Sequence, residues 1–213
     1  MYPTHNHSEY SALDGFGRVG EIADRIEAIG LRGAWLTDHG TVSGILPFAQ
    51  EFAKRDLFWG AGMEAYQSPI SRKIKDPPVK GVKSDNFHLI LLAQNNEGYA
   101  NLLRLADEAN RTGFYYNPRV DWELLEKHSE GLIATSACLS GMVAKGIEND
   151  DLTAFHKFRN IFGEKFFIEI HTYDAPEQRK MNEALMQLCY EQGIFPVVAN
   201  DAHYPSPEEY EAH

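Results

Sequence analysis

The chain contains one segment that decides its fold class, Phe87-His88-Leu89-Ile90-Leu91-Leu92-Ala93. This near-continuous apolar run has the length and composition of a fully buried β-strand. A helical pattern follows it from about Asn95 to Arg111. The pair of elements, a buried strand and then a helix, is the unit from which α/β proteins are built.

The same alternation repeats along the chain. Counting a short first strand, the sequence predicts seven strands, at residues 2–4, 33–37, 58–63, 87–93, 131–136, 166–170 and 195–199. Helices are predicted at residues 19–29, 43–55, 95–111, 121–127, 151–162 and 175–192. Strands that alternate with helices in this way predict a parallel sheet covered by helices. Seven units favour a closed or nearly closed barrel, and an open doubly wound sheet remains the alternative.

The length of 213 residues suits one domain with a substantial core, so a single domain over residues 1–213 is expected. One basic loop insertion, at about residues 67–86, interrupts the alternation of strands and helices. It carries three prolines and five basic residues: Pro69, Pro77, Pro78, Arg72, Lys73, Lys75, Lys80 and Lys83. The loop is either a solvated connection or a surface that meets nucleic acid, because it is the one basic cluster in an acidic sequence.

Composition narrows the class of protein. The formal net charge is −11, from 20 basic and 31 acidic residues, which disfavours non-specific binding to nucleic acid. Bound divalent cations would offset part of this charge and favour a phosphate locally. The two distant cysteines, Cys138 and Cys189, form no disulfide framework and fit a reducing, cytoplasmic setting. No apolar run reaches the roughly 18 residues of a membrane span, so no contact with a membrane is expected.

The most informative pattern is the position of side chains that bind metals. They follow or adjoin predicted strands, which places them at the edge of the sheet where α/β proteins collect ligands. The set comprises His5, His7, Asp14, Asp38, His39, Glu64, His88, Cys138, Asp201 and His203. His88 is the exception, because it opens its strand; either that strand is shifted or the site reaches into the barrel.

Imidazole, carboxylate and thiolate together suit zinc, manganese or iron(II). In His5-x-His7 and Asp201-x-His203, an extended chain directs both side chains to one face. A carboxylate such as Glu64 can bridge two ions, and a pair of ions can clamp a phosphoryl group and ionise a water molecule. Each motif alone is weakly specific, so the prediction depends on the whole set.

These motifs resemble the PHP (polymerase and histidinol phosphatase) domain of bacterial replicative polymerase alpha subunits. The segments that carry the resemblance are His5-Asn6-His7-Ser8-Glu9-Tyr10-Ser11, Leu36-Thr37-Asp38-His39-Gly40, Gly62-Met63-Glu64-Ala65-Tyr66, Phe87-His88-Leu89, Thr135-Ser136-Ala137-Cys138-Leu139 and Ala199-Asn200-Asp201-Ala202-His203-Tyr204. The resemblance runs from about Pro3 to the end of the chain. It implies a distorted, TIM-like (β/α)7 barrel with two to three divalent metal ions.

The resemblance also implies a ligand set for each ion. The first ion would take His5, His7, Glu64 and Asp201; the second would take Glu64, His88 and Cys138; the third would take Asp14, His39 and His203. His7, Glu64 and Asp201 are the expected catalytic residues. Arg119 and Arg179 would hold backbone phosphates, with structural salt bridges as the alternative.

By the same resemblance, the chain would be a metal-dependent phosphoesterase, in particular a 3′–5′ exonuclease that acts on DNA 3′ ends. The polymerase modules are absent from the 213 residues, so the chain would be either an excised domain or a standalone protein beside the rest of a replicative polymerase. Two alternatives stay open. One is a small-molecule phosphomonoesterase of the histidinol phosphatase type, and the other is a non-catalytic domain that stabilises or docks a polymerase.

Overall fold

The structure is a computed structural model that describes residues 2–75, 86–209 and 211. Its helices are α1 (Val19–Ala28), α2 (Ile45–Lys54), α3 (Asn96–Thr112), α4 (Trp122–Lys127), α5 (Met142–Glu148), α6 (Thr153–Phe162) and α7 (Pro176–Gln192). Its strands are β1 (Gly33–Leu36), β2 (Phe58–Gln67), β3 (Phe87–Ala93), β4 (Arg119–Val120), β5 (Leu132–Thr135), β6 (Phe166–His171) and β7 (Pro196–Ala199). The α/β class is therefore confirmed.

The strands form one curled, mixed sheet in the order β1-β2-β3-β5-β6-β7, with β4 beside the end of β2. Four pairs are parallel, but β3 is antiparallel to both of its neighbours, β2 and β5. The expectation of an entirely parallel sheet is wrong at this strand. Because β3 runs in the opposite direction, its first residues lie at the edge where β2 and β5 end. His88 consequently lies at the same edge as the other candidate ligands. Its position follows from the direction of β3, and neither a shifted strand nor a site deeper in the barrel is needed to explain it.

The predicted first strand, residues 2–4, is not a strand in the structure. The N-terminal segment instead makes isolated hydrogen bonds to β1 on one side and to the chain after β7 on the other. The Trp35 amide donates to the Pro3 carbonyl at 2.8 Å and the Thr37 amide to the Asn6 carbonyl at 2.9 Å. On the other side the His7 amide donates to the Ala202 carbonyl at 2.8 Å. The N-terminal segment therefore lies between β1 and the chain that follows β7. The seventh strand is β4. It was not predicted, because two residues are too few to show the alternation of apolar and polar side chains that marks a strand.

Strand β2 is longer than predicted and contains Glu64 instead of ending before it. Ala61, Met63 and Ala65 alternate on the face that packs in the main core, under the helices. Gly60, Gly62 and Glu64 occupy the opposite face. A Cβ atom at Gly60 would lie 2.1 Å from the ring of Trp35, so glycine is required for that ring to pack there. Glu64 consequently points into the concave interior and is completely buried.

The six predicted helices begin within two residues of their predicted starts. Asn95 and Asp121 cap α3 and α4, accepting hydrogen bonds from the Gly98 amide at 2.9 Å and the Leu124 amide at 3.2 Å. Pro47 lies in the first turn of α2, where no intrahelical donor is lost. Helix α5 was not predicted, because its seven residues give two turns at most. Among the described residues, no helix combines the length and apolarity needed to cross a bilayer.

The basic loop insertion differs from its prediction where the structure describes it. Arg72 is buried and its guanidinium contacts Asp121 at 2.8 Å and Glu123 at 3.0 Å, so it is a structural cation and not part of an exposed basic surface. Lys73 and Lys75 are exposed. The remaining prolines and lysines of the prediction lie outside the described residues: Pro77, Pro78, Lys80 and Lys83. Whether residues 67–86 meet nucleic acid stays a prediction, as does the single domain.

Replacing Gly98 by alanine is expected to lower the free energy of unfolding by about 1–3 kcal/mol. The reason is that a Cβ there would lie 1.9 Å from the Gly131 carbonyl oxygen, where α3 packs on the loop before β5. Gly20→Ala in α1 is the matched control, since a Cβ there meets no atom within 4 Å. It should be neutral or stabilise by up to about 1 kcal/mol. Urea denaturation measures both, and equal destabilisation would contradict the close packing at Gly98.

Candidate metal centre

All nine predicted metal ligands meet at one edge of the sheet. They come from the N-terminal segment, the ends of β1 and β7, the interior of β2, the start of β3 and the loop after β5. Each one contacts at least one other member at 2.7–3.5 Å through nitrogen, oxygen or sulfur atoms. The strand order thus brings together side chains that are almost 200 residues apart in sequence, which is what the pattern at strand ends predicted.

The first predicted ligand group has the spacing of a metal site. The Nε2 atom of His5 lies 3.5 Å from Glu64 Oε2 and 3.1 Å from Asp201 Oδ1. The Nε2 atom of His7 lies 3.2 Å and 3.3 Å from the same two oxygens. Ligands at about 2.0–2.1 Å from a tetrahedral zinc ion lie about 3.3–3.4 Å apart, so the four atoms fit one ion.

Glu64 lies between this group and a second one. Its Oε2 faces His5, His7 and His39, while its Oε1 lies 2.8 Å from His88 Nδ1. The Sγ atom of Cys138 lies 3.5 Å from the same His88 nitrogen. The two oxygens of one carboxylate are therefore presented to two sets of donors, which is the arrangement required of a bridging ligand. His39, Glu64 and His88 are also close enough together to share an ion.

The third predicted group is the most open part of the cluster. Asp14 Oδ2 lies 2.7 Å from His39 Nε2 and 3.4 Å from His203 Nε2. The ring of His7 stacks on those of His39 and His203, with centroids 4.3 Å and 4.2 Å apart. The Asp14 side chain is 45% exposed, whereas that of Glu64 is inaccessible. The cluster thus has a buried floor and a mouth that solvent reaches.

Several polar atoms of the floor make no acceptable hydrogen bond within the part of the chain that is described. They are His5 Nε2, His7 Nε2, both carboxylate oxygens of Glu64 and Asp201 Oδ1. Buried polar atoms normally have a partner, and leaving one without a partner costs about 1–3 kcal/mol. Atoms that approach one another closely without forming hydrogen bonds are aimed at a common point. The residues present therefore fit a bound cation.

The carboxylates and imidazoles of the cluster shift one another's pKa values. Burial alone would raise the pKa of Glu64, but the surrounding imidazoles, His5 first, hold it well below its ordinary value. Burial lowers the pKa of His88, yet the close contacts with Cys138 and with the negative charge of Glu64 outweigh burial and raise that pKa to about 10. The buried carboxylates and the imidazoles around them thus stabilise one another's charged forms. A divalent cation would supply positive charge to the same carboxylates.

Two features of the centre were missed by the sequence analysis. Glu169 in β6 is completely buried and contacts both His5 at 2.9 Å and His171 at 3.0 Å. Asp38 accepts hydrogen bonds from Ser8 and Ser11 and supports the loop that carries His7. Asp38 was one of the ten candidate metal-binding residues found in the sequence but was assigned to no ion, so its role as a hydrogen-bond acceptor was missed. The available signal for Glu169 was a lone carboxylate inside the apolar run of β6.

The two predicted phosphate-binding arginines form hydrogen bonds or ion pairs with other groups of the protein. Arg119 is fully buried, and its guanidinium donates to the carbonyls of Gly113, Arg72 and Ile74 at 2.8–3.0 Å. Arg179 lies at the start of α7 and forms an exposed ion pair with Asp174. These placements favour the structural alternative for Arg119, while a role in substrate binding for Arg179 stays a prediction.

Replacing Arg119 by methionine is expected to destabilise the protein by about 3–5 kcal/mol, because three carbonyls, two of them in buried hydrogen bonds, would lose their donor. Arg179→Met is the control, since its exposed pair contributes little. Chemical denaturation compares the two variants. If Arg119→Met were as stable as the wild type, the structural role of Arg119 would be refuted.

Comparison with known proteins is consistent with this geometry. The PHP domain family model matches residues 3–173. DNA polymerase III subunit alpha of Borreliella burgdorferi is 37% identical over 209 residues, covering 96% of this chain and 18% of that protein. The corresponding subunit of Aquifex aeolicus is 34% identical over 216 residues, covering 98% and 19%. The chain thus spans less than a fifth of the length of these relatives.

Solved structures share the fold at low identity. A Bifidobacterium adolescentis protein, described as a candidate metal-dependent phosphoesterase, aligns with a TM-score of 0.58 at 13% identity, covering 97% of this chain and 89% of that one. A two-domain Bacteroides vulgatus protein, described as containing a predicted PHP-like metal-dependent phosphoesterase, aligns with a TM-score of 0.61 at 12% identity, covering 99% and 55%. These alignments support the curled α/β architecture.

Proposed function

Because the chain belongs to the PHP domain family, we propose that it is a metal-dependent phosphodiesterase that removes nucleotides from DNA 3′ ends, within a replicative polymerase alpha subunit. The proposal depends on the position of Glu64. The two oxygens of this buried carboxylate face two different sets of metal-binding side chains. A site with two or three adjacent cations is suited to phosphoryl chemistry.

The proposed ligand sets are those implied by the resemblance. His5, His7, Glu64 and Asp201 would hold one ion; Glu64, His88 and Cys138 a second; and Asp14, His39 and His203 a third. Bound divalent cations supply positive charge against phosphoryl oxygens and lower the pKa of water towards neutrality. Zinc, manganese and iron(II) all suit these donors.

The chain's own residues divide into a floor and a mouth. His7 and Glu64 have inaccessible side chains, so their proposed catalytic roles are to hold the cations, without touching the substrate. Asp201 is 16% exposed and Asp14 is 45% exposed, so these carboxylates line the side from which a phosphate ester would approach. A substrate on that side would lie against the cations and leave the buried histidines undisturbed.

The choice of DNA as substrate is supported by the relatives, which are named as polymerase subunits and match almost the whole chain. The net charge of −11 favours the alternative of a small phosphate monoester of the histidinol phosphate type, because long nucleic acids usually meet a basic surface. A docking domain without activity is disfavoured, since every one of the nine proposed ligand positions holds a residue able to bind metal.

The purified chain is expected to bind two to three equivalents of zinc, manganese or iron. His7→Ala and Asp201→Asn should each lose at least one equivalent, because both residues belong to the first ligand group. His156→Ala is the matched control, since that histidine is exposed on α6. Elemental analysis after gel filtration measures the content, and a wild-type chain free of metal would favour the docking alternative.

The metal-loaded chain is expected to shorten a 3′-labelled oligonucleotide and to lose this activity with EDTA. His7→Ala should lower the rate by more than the roughly 10–100-fold cost usual for an outer partner of a metal site. Histidinol phosphate, assayed in parallel, distinguishes the two enzymatic proposals. Hydrolysis of that monoester alone would replace the exonuclease proposal, and full activity of His7→Ala on DNA would place the reaction elsewhere.

A further inference from the structure

We infer that two carboxylates outside the proposed ligand set, Glu169 and Asp38, fix the tautomers of His5 and His7. Glu169 acts directly and Asp38 acts through the hydroxyl of Ser11. Both histidines would then carry their proton on Nδ1 and direct the Nε2 lone pair to one centre. The inference rests on the proposed function, because it concerns how the chain prepares that site for a cation.

Glu169 determines the orientation of His5. Its Oε2 lies 2.9 Å from His5 Nδ1 and 3.0 Å from His171 Nε2, and its Oε1 accepts from the Thr135 hydroxyl at 2.6 Å. Three polar groups converge on one completely buried carboxylate, and an ionised carboxylate can only accept hydrogen bonds. His5 must then donate through Nδ1. In the neutral ring, the opposite nitrogen is left with its lone pair, and that is the atom facing Glu64 and Asp201.

Ser11 determines the tautomer of His7, because its hydroxyl has a single proton to donate. The Ser11 hydroxyl donates its single proton to Asp38 Oδ1 at 2.7 Å, because a carboxylate can only accept. Its oxygen lies 3.1 Å from His7 Nδ1 and also accepts from the His39 amide at 3.1 Å. With its proton engaged, Ser11 can only accept from His7. His7 Nδ1 is therefore a donor, and Nε2 again faces the common centre.

Asp38 is itself held in one position. Its Oδ1 accepts from the Ser8 amide at 2.7 Å, and its Oδ2 accepts from the Ser8 hydroxyl at 2.9 Å. The carboxylate is buried and accepts three hydrogen bonds, so it cannot turn away from Ser11 without leaving donors unpaired. The opposite tautomer of either histidine would place an N–H group at the centre. Such a group repels a cation and would have to be removed before the ion binds.

Ser11→Ala and Ser8→Ala form a matched pair that tests the effect on His7. Each variant removes one hydroxyl bonded to Asp38, but only Ser11 contacts a histidine ring. With zinc as the probe ion and a competing chelator, Ser11→Ala is expected to bind about 10–100-fold more weakly than the wild type. Ser8→Ala should stay close to the wild type. Equal affinities of the two variants would overturn the role of Ser11.

Glu169→Ala and Thr135→Val test His5 in the same way. Both remove a partner from the Thr135–Glu169 hydrogen bond, but only Glu169→Ala leaves His5 Nδ1 without its acceptor. Zinc affinity is expected to fall about 10–100-fold in Glu169→Ala and to remain nearly unchanged in Thr135→Val. Circular dichroism establishes that each variant is folded. If Glu169→Ala does not fold, the Ser11 pair and the spectrum described next still decide the inference.

Nitrogen-15 NMR of the zinc-loaded, histidine-labelled chain gives a readout that a merely structural role would not produce. His5 and His7 should each show a protonated Nδ1 and a zinc-shifted Nε2. Coordination through Nδ1 in either ring would overturn the inference. A wild-type chain that binds no zinc would instead refute the proposed function, so the two failures are distinguishable.

Discussion

The structure depends on one buried negative charge, the carboxylate of Glu64. A carboxylate in an apolar interior is strongly unfavourable unless cations or donors surround it. Here the compensation comes from the imidazoles of His5, His7, His39 and His88, which belong to three separate parts of the chain. The N-terminal segment, β1, β2 and β3 must therefore be in place together before Glu64 is compensated. The cluster that would hold cations is also a condition for folding this end of the sheet.

The reversed direction of β3 is what makes this compensation possible. With every strand parallel, His88 would lie at the opposite edge of the sheet from Glu64. The antiparallel pairing places His88 opposite Tyr66, two residues beyond Glu64 in β2 and on the same face. Gly60 and Gly62 contribute from the same strand, because their missing side chains leave room for the Trp35 ring and for the backbone of β1. The direction of β3 and the two glycines of β2 thus determine how the side chains at the floor of the centre are placed.

The sequence predicted the membership of the centre better than its geometry. Ligand residue types after strands such as β1 and β7 are visible in the sequence, since chemistry restricts which side chains bind metals. The direction of β3 was not visible, because a uniformly apolar run has the same pattern in either direction. Arg119 was equally ambiguous: a guanidinium suits a phosphate or three carbonyls, and only burial distinguishes them. Glu169 was overlooked because it lies within a buried strand and not after one.

The acidic composition and a phosphate substrate are compatible once the charge of the centre is counted locally. The proposed ligands Asp14, Glu64, Asp201 and an ionised Cys138 contribute four negative charges, while three divalent cations would contribute six positive ones. Even though the chain carries −11, the charge counted over these ligands and ions alone would then be positive. Its field acts over about one Debye length, roughly 8–10 Å at physiological salt, which is the range of one or two phosphates. Such a centre would favour a short terminal segment of nucleic acid or a small phosphate ester, and it would not attract a long duplex.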